Sequence, residues 1–108
     1  MRNPIKKEVI KNLVNDKFYY TCCLEDEECK GHIQFHHNFR FQGKNIGVEF
    51  AILPCCVEHH RREKETGIKE KLDFIMLGRM TPENRADYLS SEWLQREKYL
   101  KSKFEKTT

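Results

Sequence analysis

Paired cysteines and histidines are the feature that most constrains what this chain can fold into. Four of the five cysteines form the adjacent pairs Cys22–Cys23 and Cys55–Cys56, and four of the five histidines form the pairs His36–His37 and His59–His60. The first residues lack the apolar run of a signal peptide, and an odd number of cysteines argues against a disulfide framework. Thiolates and imidazoles together are the ligands that zinc prefers, so the pairs predict a metal-stabilised protein.

The size and composition of the chain favour one small domain, residues 1–108, that needs such reinforcement. Its residues are 38% hydrophobic and 34% charged, which leaves a thin apolar core, and domains this small are often stabilised by metals. No apolar run approaches the roughly 18–20 residues of a membrane-spanning helix, so we expect a cytoplasmic protein with no membrane contacts. The net charge of +3 is compatible with a polyanionic partner without requiring one.

Apolar periodicity predicts an α+β fold in which a short hairpin is flanked by helices. The predicted helices cover residues 3–15 (beginning at Asn3 and Pro4), 55–66, 68–78 and 81–105, and the predicted strands cover residues 32–41 and 48–53. We expect Phe18 to Tyr20 to be extended, Gly43 and Gly47 to bracket the hairpin loop, and Pro54 to end the second strand. The ligand types fall within a core of about residues 18–66, so the helical segments 3–15 and 67–106 are predicted to be scaffold.

A structural zinc site follows from the spacing of the cysteines. Either Cys22 or Cys23 supplies one thiolate, and Cys29 supplies another from the same loop. Cys56 and His59 are separated by two residues, as in a zinc knuckle. Together these residues form a Cys₃His set that is closed to solvent and adds folding free energy directly. The alternative is that the cysteines are buried free thiols, which behave as small hydrophobic groups.

The remaining histidines predict a second, open metal site. If His59 completes the zinc set, then His60 is free to face His36 and His37 at the end of the first strand. His36 and His60 would hold a divalent cation, and His37 would act as general base for a water molecule, as phosphodiester hydrolysis requires. Neighbouring side chains on a strand face opposite ways, so His36 and His37 can cooperate only at a strand end or a bulge.

The order of these residues resembles the HNH endonuclease family. The resemblance rests on Cys-x₅-Cys-Lys-Gly-His-Ile-Gln-Phe-His36-His37, then Gly43, then Ala-Ile-Leu-Pro-Cys-Cys56-x₂-His59-His60, and it covers residues 21–65. It is nearest to the small zinc-stabilised versions that are common in bacteriophages, including those linked to phage recombination. The resemblance implies a ββα-metal core with a zinc knuckle, and a nuclease located in the host cytoplasm if it is phage-encoded.

The resemblance also implies roles for individual residues. The second histidine of the strand pair, His37, would be the general base, and His36 and His60 would be ligands of the catalytic cation. Such an enzyme would hydrolyse DNA phosphodiester bonds with Zn²⁺ as a structural ion and Mg²⁺ or another divalent cation as the catalytic one. Two protein ligands plus waters suit Mg²⁺, which keeps much of its hydration.

Two positions depart from the family pattern. The middle Asn, which braces the loop behind the base, should fall near Ala51, and alanine cannot do this; Asn45 or Glu49 are the candidates to replace it. A further metal ligand often lies one helical turn beyond the last histidine of the motif. Lys64 occupies that place and cannot bind a cation while protonated, so Glu63 is the nearest alternative.

Basic residues around the histidines predict DNA contacts through phosphate. The candidates are Arg40, Lys44, Arg61, Arg62 and Lys64. The alternative function is a catalytically degenerate zinc module that binds nucleic acid or a protein partner, and a third is a purely structural zinc protein. The apolar stripe of the last predicted helix could pack on its own domain or form a homodimer.

Overall fold

The structure is a computed structural model that describes residues 7–41, 44–45 and 48–105. Its helices are α1 (Lys7–Val14), α2 (Val57–Arg61), α3 (Thr66–Arg79), α4 (Pro82–Tyr88) and α5 (Ser91–Phe104). Its strands are β1 (Ile33–His37), β2 (Arg40–Phe41), β3 (Lys44–Asn45) and β4 (Ile52–Cys56). The chain therefore has the α+β composition that the periodicity predicts. Asn3, Pro4, Gly43 and Gly47 lie outside the described residues.

The antiparallel pair of β1 and β4 leads directly into α2. Its register sets Ile33 opposite Cys56 and His37 opposite Ile52. The predicted second strand, residues 48–53 ending at Pro54, is wrong at both ends. Residues 49–51 form a 3₁₀ turn, and β4 runs through Pro54. Proline is tolerated there because both strands of a two-stranded sheet are edge strands.

A buried tyrosine explains why the chain turns before β4. The hydroxyl of Tyr19 lies 3.0 Å from the carbonyl oxygen of Glu49 and 2.9 Å from that of Ile52. Tyr19 itself lies in a 3₁₀ helix, Lys17–Tyr20, whose first turn is capped by the Asp16 carboxylate. The prediction that Phe18 to Tyr20 are extended is therefore wrong, because the local Asp16 cap favours a turn.

The predicted strand 32–41 is divided in two at Asn38. β1 ends at His37, and β2 forms a separate short pair with β3. The backbone amide of Asn38 donates a hydrogen bond to the carbonyl oxygen of Ala51 at 2.7 Å. The side chain of Asn38 points away from the sheet into a buried polar network. Phe39 then turns into the core, where it is 1% exposed. The alternation of polar and apolar residues does not reveal this break.

Helices α3 to α5 form the apolar scaffold behind the sheet. Leu72, Met76 and Leu100 are fully buried at its centre. The prediction of a single helix over 81–105 is wrong, because the helix is interrupted at Leu89 and Ser90. The Ser90 side chain accepts a hydrogen bond from the Trp93 amide and so begins α5. The apolar stripe that predicted one helix reflects packing of both helices on the same core.

The other helix boundaries differ less from prediction. The short helix predicted over 55–66 is confined to Val57–Arg61, and the helix predicted over 68–78 extends over Thr66–Arg79. Gly67 therefore lies in the first turn of α3 rather than ending the preceding helix. A turn of three residues after α2 brings Glu63 back toward the sheet, where it lies beside His36 of β1.

An ion pair between Arg85 and Glu97 joins α4 to α5. We expect Glu97→Gln to lower the free energy of unfolding by about 1–3 kcal/mol, because it leaves a half-buried guanidinium without its counter-charge. Arg85 lowers the pKa of Glu97, so this stabilisation is present above the ordinary carboxyl pKa of about 4.3 and is lost as the pH falls through the folded value. Urea unfolding at pH 7 and at acid pH checks both points: a difference between wild type and variant that grows on acidification would contradict the assignment.

Candidate functional site

Helix α2 divides its adjacent histidines between two clusters of possible metal ligands. His59 joins Cys22, Cys29 and Cys56. His60 points to a different side of the same turn, where it joins His36 and Glu63. In each cluster one ligand atom per residue lies within 4.8 Å of every other.

The first cluster has the dimensions of a tetrahedral zinc site. The Nδ1 atom of His59 lies 3.4 Å from the sulfur of Cys22, 3.5 Å from that of Cys29 and 3.2 Å from that of Cys56. Zn–S and Zn–N bonds at a tetrahedral angle would separate sulfur from nitrogen by about 3.6 Å. His59 is fully buried, and Cys22 and Cys56 nearly so. The cluster can therefore hold a metal such as zinc and has the closed surroundings of a structural site.

Local backbone structure aims these ligands at one point. The sulfur of Cys56 caps α2 by accepting a hydrogen bond from the His59 amide, and the sulfur of Cys29 accepts one from the Asp26 amide. On the far side of the ring, the Asp26 carboxylate lies 3.2 Å from His59 Nε2. This carboxylate therefore favours the tautomer that leaves Nδ1 facing the sulfurs, an arrangement typical of zinc-bound histidines.

Gly31 allows the loop that carries Cys29 to pass close to α2. Its φ angle is +85°, a conformation that residues with a Cβ atom rarely adopt. A Cβ atom at this position would lie 2.9 Å from the side chain of Val57, at the beginning of α2. The sequence motif Cys-Lys-Gly thus has a steric reason: the glycine lets the two ligand-bearing segments approach each other.

The thiols of this cluster differ in acidity for physical reasons. Burial opposes ionisation of Cys56, but hydrogen bonds from the backbone amides of His59 and Lys30 more than offset it and lower the pKa of its thiol to about 7. Burial raises the pKa of the Cys29 thiol to about 11, and the neighbouring sulfur of Cys22 adds to this. A bound dication would remove the repulsion between these sulfurs.

The two other cysteines lie outside this cluster. Cys55 is fully buried in the main core, and Cys23 packs against that core. Of the two predicted alternatives for the first thiolate, the structure thus brings Cys22 to His59 and leaves Cys23 elsewhere. The pattern of adjacent pairs places one cysteine of each pair with the ligands and the other with apolar side chains.

The second cluster brings two imidazoles to one carboxylate oxygen. Oε2 of Glu63 lies 2.8 Å from Nδ1 of His36 and 3.0 Å from Nε2 of His60. Neighbouring ligands around Mg²⁺ in octahedral geometry would be about 2.9 Å apart. His36 is 7% exposed, and burial lowers its pKa, which favours the neutral ring that a ligand requires. Glu63, rather than Lys64, provides the carboxylate.

The far nitrogens of both rings face amide oxygens. His36 Nε2 lies 3.0 Å from Oδ1 of Asn38, and His60 Nδ1 lies 2.7 Å from Oε1 of Gln34. Because an amide oxygen only accepts, a neutral ring would carry its proton on that side and turn a lone pair toward Glu63. With the rings in these tautomers, Glu63 Oε2 is buried and accepts no hydrogen bond from any residue that the structure describes. Three acceptors facing one another are unfavourable unless a cation or a proton lies between them.

A cleft of about 270 Å³ opens beside this cluster. It is lined by His36, His37, Asn38, Arg40, Glu63, Lys64 and Lys69. His36 and His37 both reach it although they are neighbours in sequence, because β1 ends at His37. The geometric condition that the sequence sets for their cooperation, a strand end, is thus present.

The predicted phosphate-binding residues are distributed unevenly around the cleft. Arg40 and Lys64 are exposed and line it. Arg61 pairs with Glu58, and Arg62 pairs with Glu28 and Glu65, in positions that do not line it. The side chain of Lys44 lies outside the described part of the chain.

Several residues of the site have no signal in the local sequence. Lys69 enters the cleft from α3, and Asn38 holds His36 from the end of β1. Asp26 belongs to an acidic loop that looks like an ordinary solvated segment, so its contact with His59 cannot be recognised from the sequence. Of the predicted braces near Ala51, Glu49 instead accepts a hydrogen bond from Asn12, outside the cleft. Ala51 contributes its backbone carbonyl to Asn38, a contact that any residue could make.

The described helices include none with both the length and the apolar character needed to cross a bilayer. Comparisons of the chain with models of protein families, with curated proteins and with solved structures found no match.

Proposed function

We propose that this protein is a metal-dependent endonuclease that hydrolyses DNA phosphodiester bonds, similar to the HNH family. The order of β1, β4 and α2, with histidines at the end of β1 and on α2, is the arrangement expected for a ββα-metal core. The observation that carries the proposal is the meeting of His36, His60 and Glu63 around one point, with both rings oriented as ligands.

The second cluster supplies what a phosphate ester needs. A divalent cation bound there would stabilise the negative charge that develops on the phosphate and the leaving oxygen. Two imidazoles and one carboxylate leave coordination positions open, as a catalytic site requires. In the family pattern the third ligand comes from the position that Lys64 occupies here. In this chain Glu63 would provide that ligand instead, so the lysine does not leave the site one ligand short.

His37 is the proposed general base. It lines the same cleft as the cluster, from the last position of β1. A neutral imidazole there would accept a proton from the attacking water, and histidine is suited to this because its ordinary pKa lies near neutral pH. Arg40 and Lys64 would hold the phosphate backbone across the cleft, where their charges also attract DNA from a distance.

We further propose that the first cluster holds a structural Zn²⁺. Its ligand set of three cysteines and one histidine has no open position, so its role is to join the loop of Cys22 and Cys29 to the beginning of α2. That joint fixes the helix on which His60 lies. Loss of the ion would therefore disturb the second cluster as well as the fold.

The second candidate function is a non-catalytic zinc module that binds nucleic acid or a protein partner. Two observations favour it: Ala51 stands where the family has its bracing Asn, and Lys64 projects a positive charge into the cleft beside the cation site. In this case DNA would bind without being cut. The following experiment distinguishes the two functions.

Removal of the carboxylate ligand is the test of the proposed function. Wild type is expected to nick supercoiled plasmid only with Mg²⁺ or Mn²⁺ present, and Glu63→Gln is expected to reduce the rate by at least about 100-fold, since it loses a charged ligand. Glu65→Gln is the matched control, because Glu65 lies two residues away and pairs with Arg62 instead. Plasmid bound but uncut by wild type with either cation would favour the binding module.

DNA affinity should depend steeply on salt. Contacts through phosphate release counterions, so the logarithm of the binding constant should fall linearly with the logarithm of salt concentration. Lys64→Ala should reduce that slope by about one, while Lys98→Ala, on an exposed face of α5, should leave it unchanged. Fluorescence anisotropy with a labelled duplex in EDTA-free buffer with Ca²⁺ measures the slope. An affinity that does not change with salt would contradict phosphate binding.

A further inference from the structure

Asn38 is the centre of a buried polar network behind the second cluster. It is 4% exposed, and its side-chain oxygen faces His36 Nε2 at 3.0 Å. Its side-chain nitrogen donates to Oδ1 of Asp73 at 2.9 Å. Asp73 lies on α3 and is 1% exposed, and its other oxygen accepts from Arg96 Nε on α5 at 2.7 Å. The network therefore runs from α5 through α3 to a predicted metal ligand.

The charges of this network leave only one orientation for the Asn38 amide. Lys69 Nζ lies 3.3 Å from the Asn38 oxygen and 2.8 Å from Asp73 Oδ1. An ammonium group only donates and a carboxylate only accepts, so the amide must turn its oxygen toward Lys69 and its nitrogen toward Asp73. Reversing the amide would set a donor against Lys69 and an acceptor against Asp73, and the second mismatch would be costly because Asp73 is fully buried.

We propose that Asn38, oriented by Asp73 and Lys69, is a positioning residue that holds His36 in the tautomer with its proton on Nε2. Nδ1 then carries a lone pair directed at the point shared with Glu63 and His60. Without this acceptor, the nearest acceptor for a ring proton would be Glu63 Oε2, 2.8 Å from Nδ1. The ring would then carry its proton on Nδ1, on the side where a cation should bind.

The inference deepens the proposed function and rests on it where it concerns metal binding, but the tautomer can be measured independently. Long-range proton–nitrogen correlation spectra of zinc-loaded protein with isotope-labelled histidine distinguish the two tautomers of His36. Wild type is expected to show the Nε2–H form before any Mn²⁺ or Mg²⁺ is added, so that any proton held among the three ligand atoms at that stage is not on His36 Nδ1. The Nδ1–H form in wild type would overturn the inference without the need for any variant.

Substitution of Asn38 provides the second test. Asn38→Leu keeps the approximate size but removes the acceptor, so His36 should shift to the Nδ1–H form and Mn²⁺ affinity should fall by about 10- to 100-fold. An unchanged tautomer in Asn38→Leu would overturn the inference.

Glu70→Gln is the control for a purely structural effect. Glu70 is also a buried carboxylate that joins α3 to α5, through Tyr99 and Lys103. Its contacts do not include Asn38, so the variant should keep the wild-type tautomer and Mn²⁺ affinity even if it is less stable. A shift of the His36 tautomer in Glu70→Gln as large as that in Asn38→Leu would overturn the positioning role. If plasmid is not cut but the tautomers behave as expected, the proposed function fails while the role of Asn38 stands.

Discussion

Replacing Cys22 by serine is expected to unfold the protein at 37 °C. Structural zinc sites contribute about 10–16 kcal/mol of apparent binding free energy at neutral pH, whereas the whole stability of a domain is about 5–15 kcal/mol. Three ligands retain only part of that binding free energy, and the apolar core of this chain is small. The expected result is loss of bound zinc together with loss of the far-ultraviolet circular dichroism of the helices.

Cys23→Ser is the matched control for this substitution. The two cysteines are neighbours, but Cys23 packs against the core instead of facing His59. The variant should keep one zinc per chain and a cooperative unfolding transition, with a stability loss of about 1–2 kcal/mol at most. Elemental analysis with thermal unfolding distinguishes the two variants. Equal zinc content in both would contradict the assignment of Cys22, and wild type that stays folded without metal after strong chelation would contradict the structural role of zinc.

His37→Ala is expected to abolish plasmid nicking while leaving DNA binding nearly unchanged. Removal of a general base reduces rates by about 100- to 10,000-fold. The cation ligands His36, His60 and Glu63 remain in this variant, so Mn²⁺ affinity should not change. Single-turnover cleavage with saturating protein isolates the chemical step from binding.

His32→Ala controls for the loss of an imidazole as such. His32 is exposed just before β1 and is not among the residues that line the cleft, so this variant should cleave as fast as wild type. A His37→Ala protein with a cleavage rate within threefold of wild type would exclude His37 as the base. Equal loss of activity in both variants would indicate a nonspecific effect on the strand.

The residues of the first cluster were within reach of sequence reasoning because each half of the cluster is local in sequence. Cys56 and His59 fall on one turn, and Cys29 needs only a loop to reach them. The choice between Cys22 and Cys23 could not be made in this way. It depends on which side of the loop faces the core, and the hydrogen bond from the Cys23 amide to the Pro54 carbonyl, at 2.8 Å, decides that orientation.

The predicted strand and helix boundaries are wrong where tertiary contacts override local sequence patterns. Pro54 is a signal for the end of a strand, yet an edge strand accommodates it, and Tyr19 determines where β4 begins. Leu89 lies on the same apolar stripe as Trp93 of α5, yet the Ser90 cap begins a new helix between them. In each case the deciding partner is a single hydrogen-bonding group that a periodicity argument does not weigh.

The polar network behind His36 was beyond prediction for a different reason. Asn38 and Asp73 are 35 positions apart, and each belongs to a segment whose local pattern is ordinary. Asp73 lies on the buried side of α3, where an apolar residue is expected, and this mismatch was the only available signal. Buried carboxylates need partners, so a search for the partner of Asp73 could have suggested a polar connection to the site.

We propose that two different cations bind on different sides of α2. Anomalous diffraction from crystals soaked in Mn²⁺, with data at the zinc and manganese edges, can locate both of them. We expect a zinc peak among Cys22, Cys29, Cys56 and His59, and a separate manganese peak bonded to His36 Nδ1, His60 Nε2 and a Glu63 oxygen. Crystals that show zinc at the first position but no manganese at the second, at saturating Mn²⁺, would rule out the second cation site.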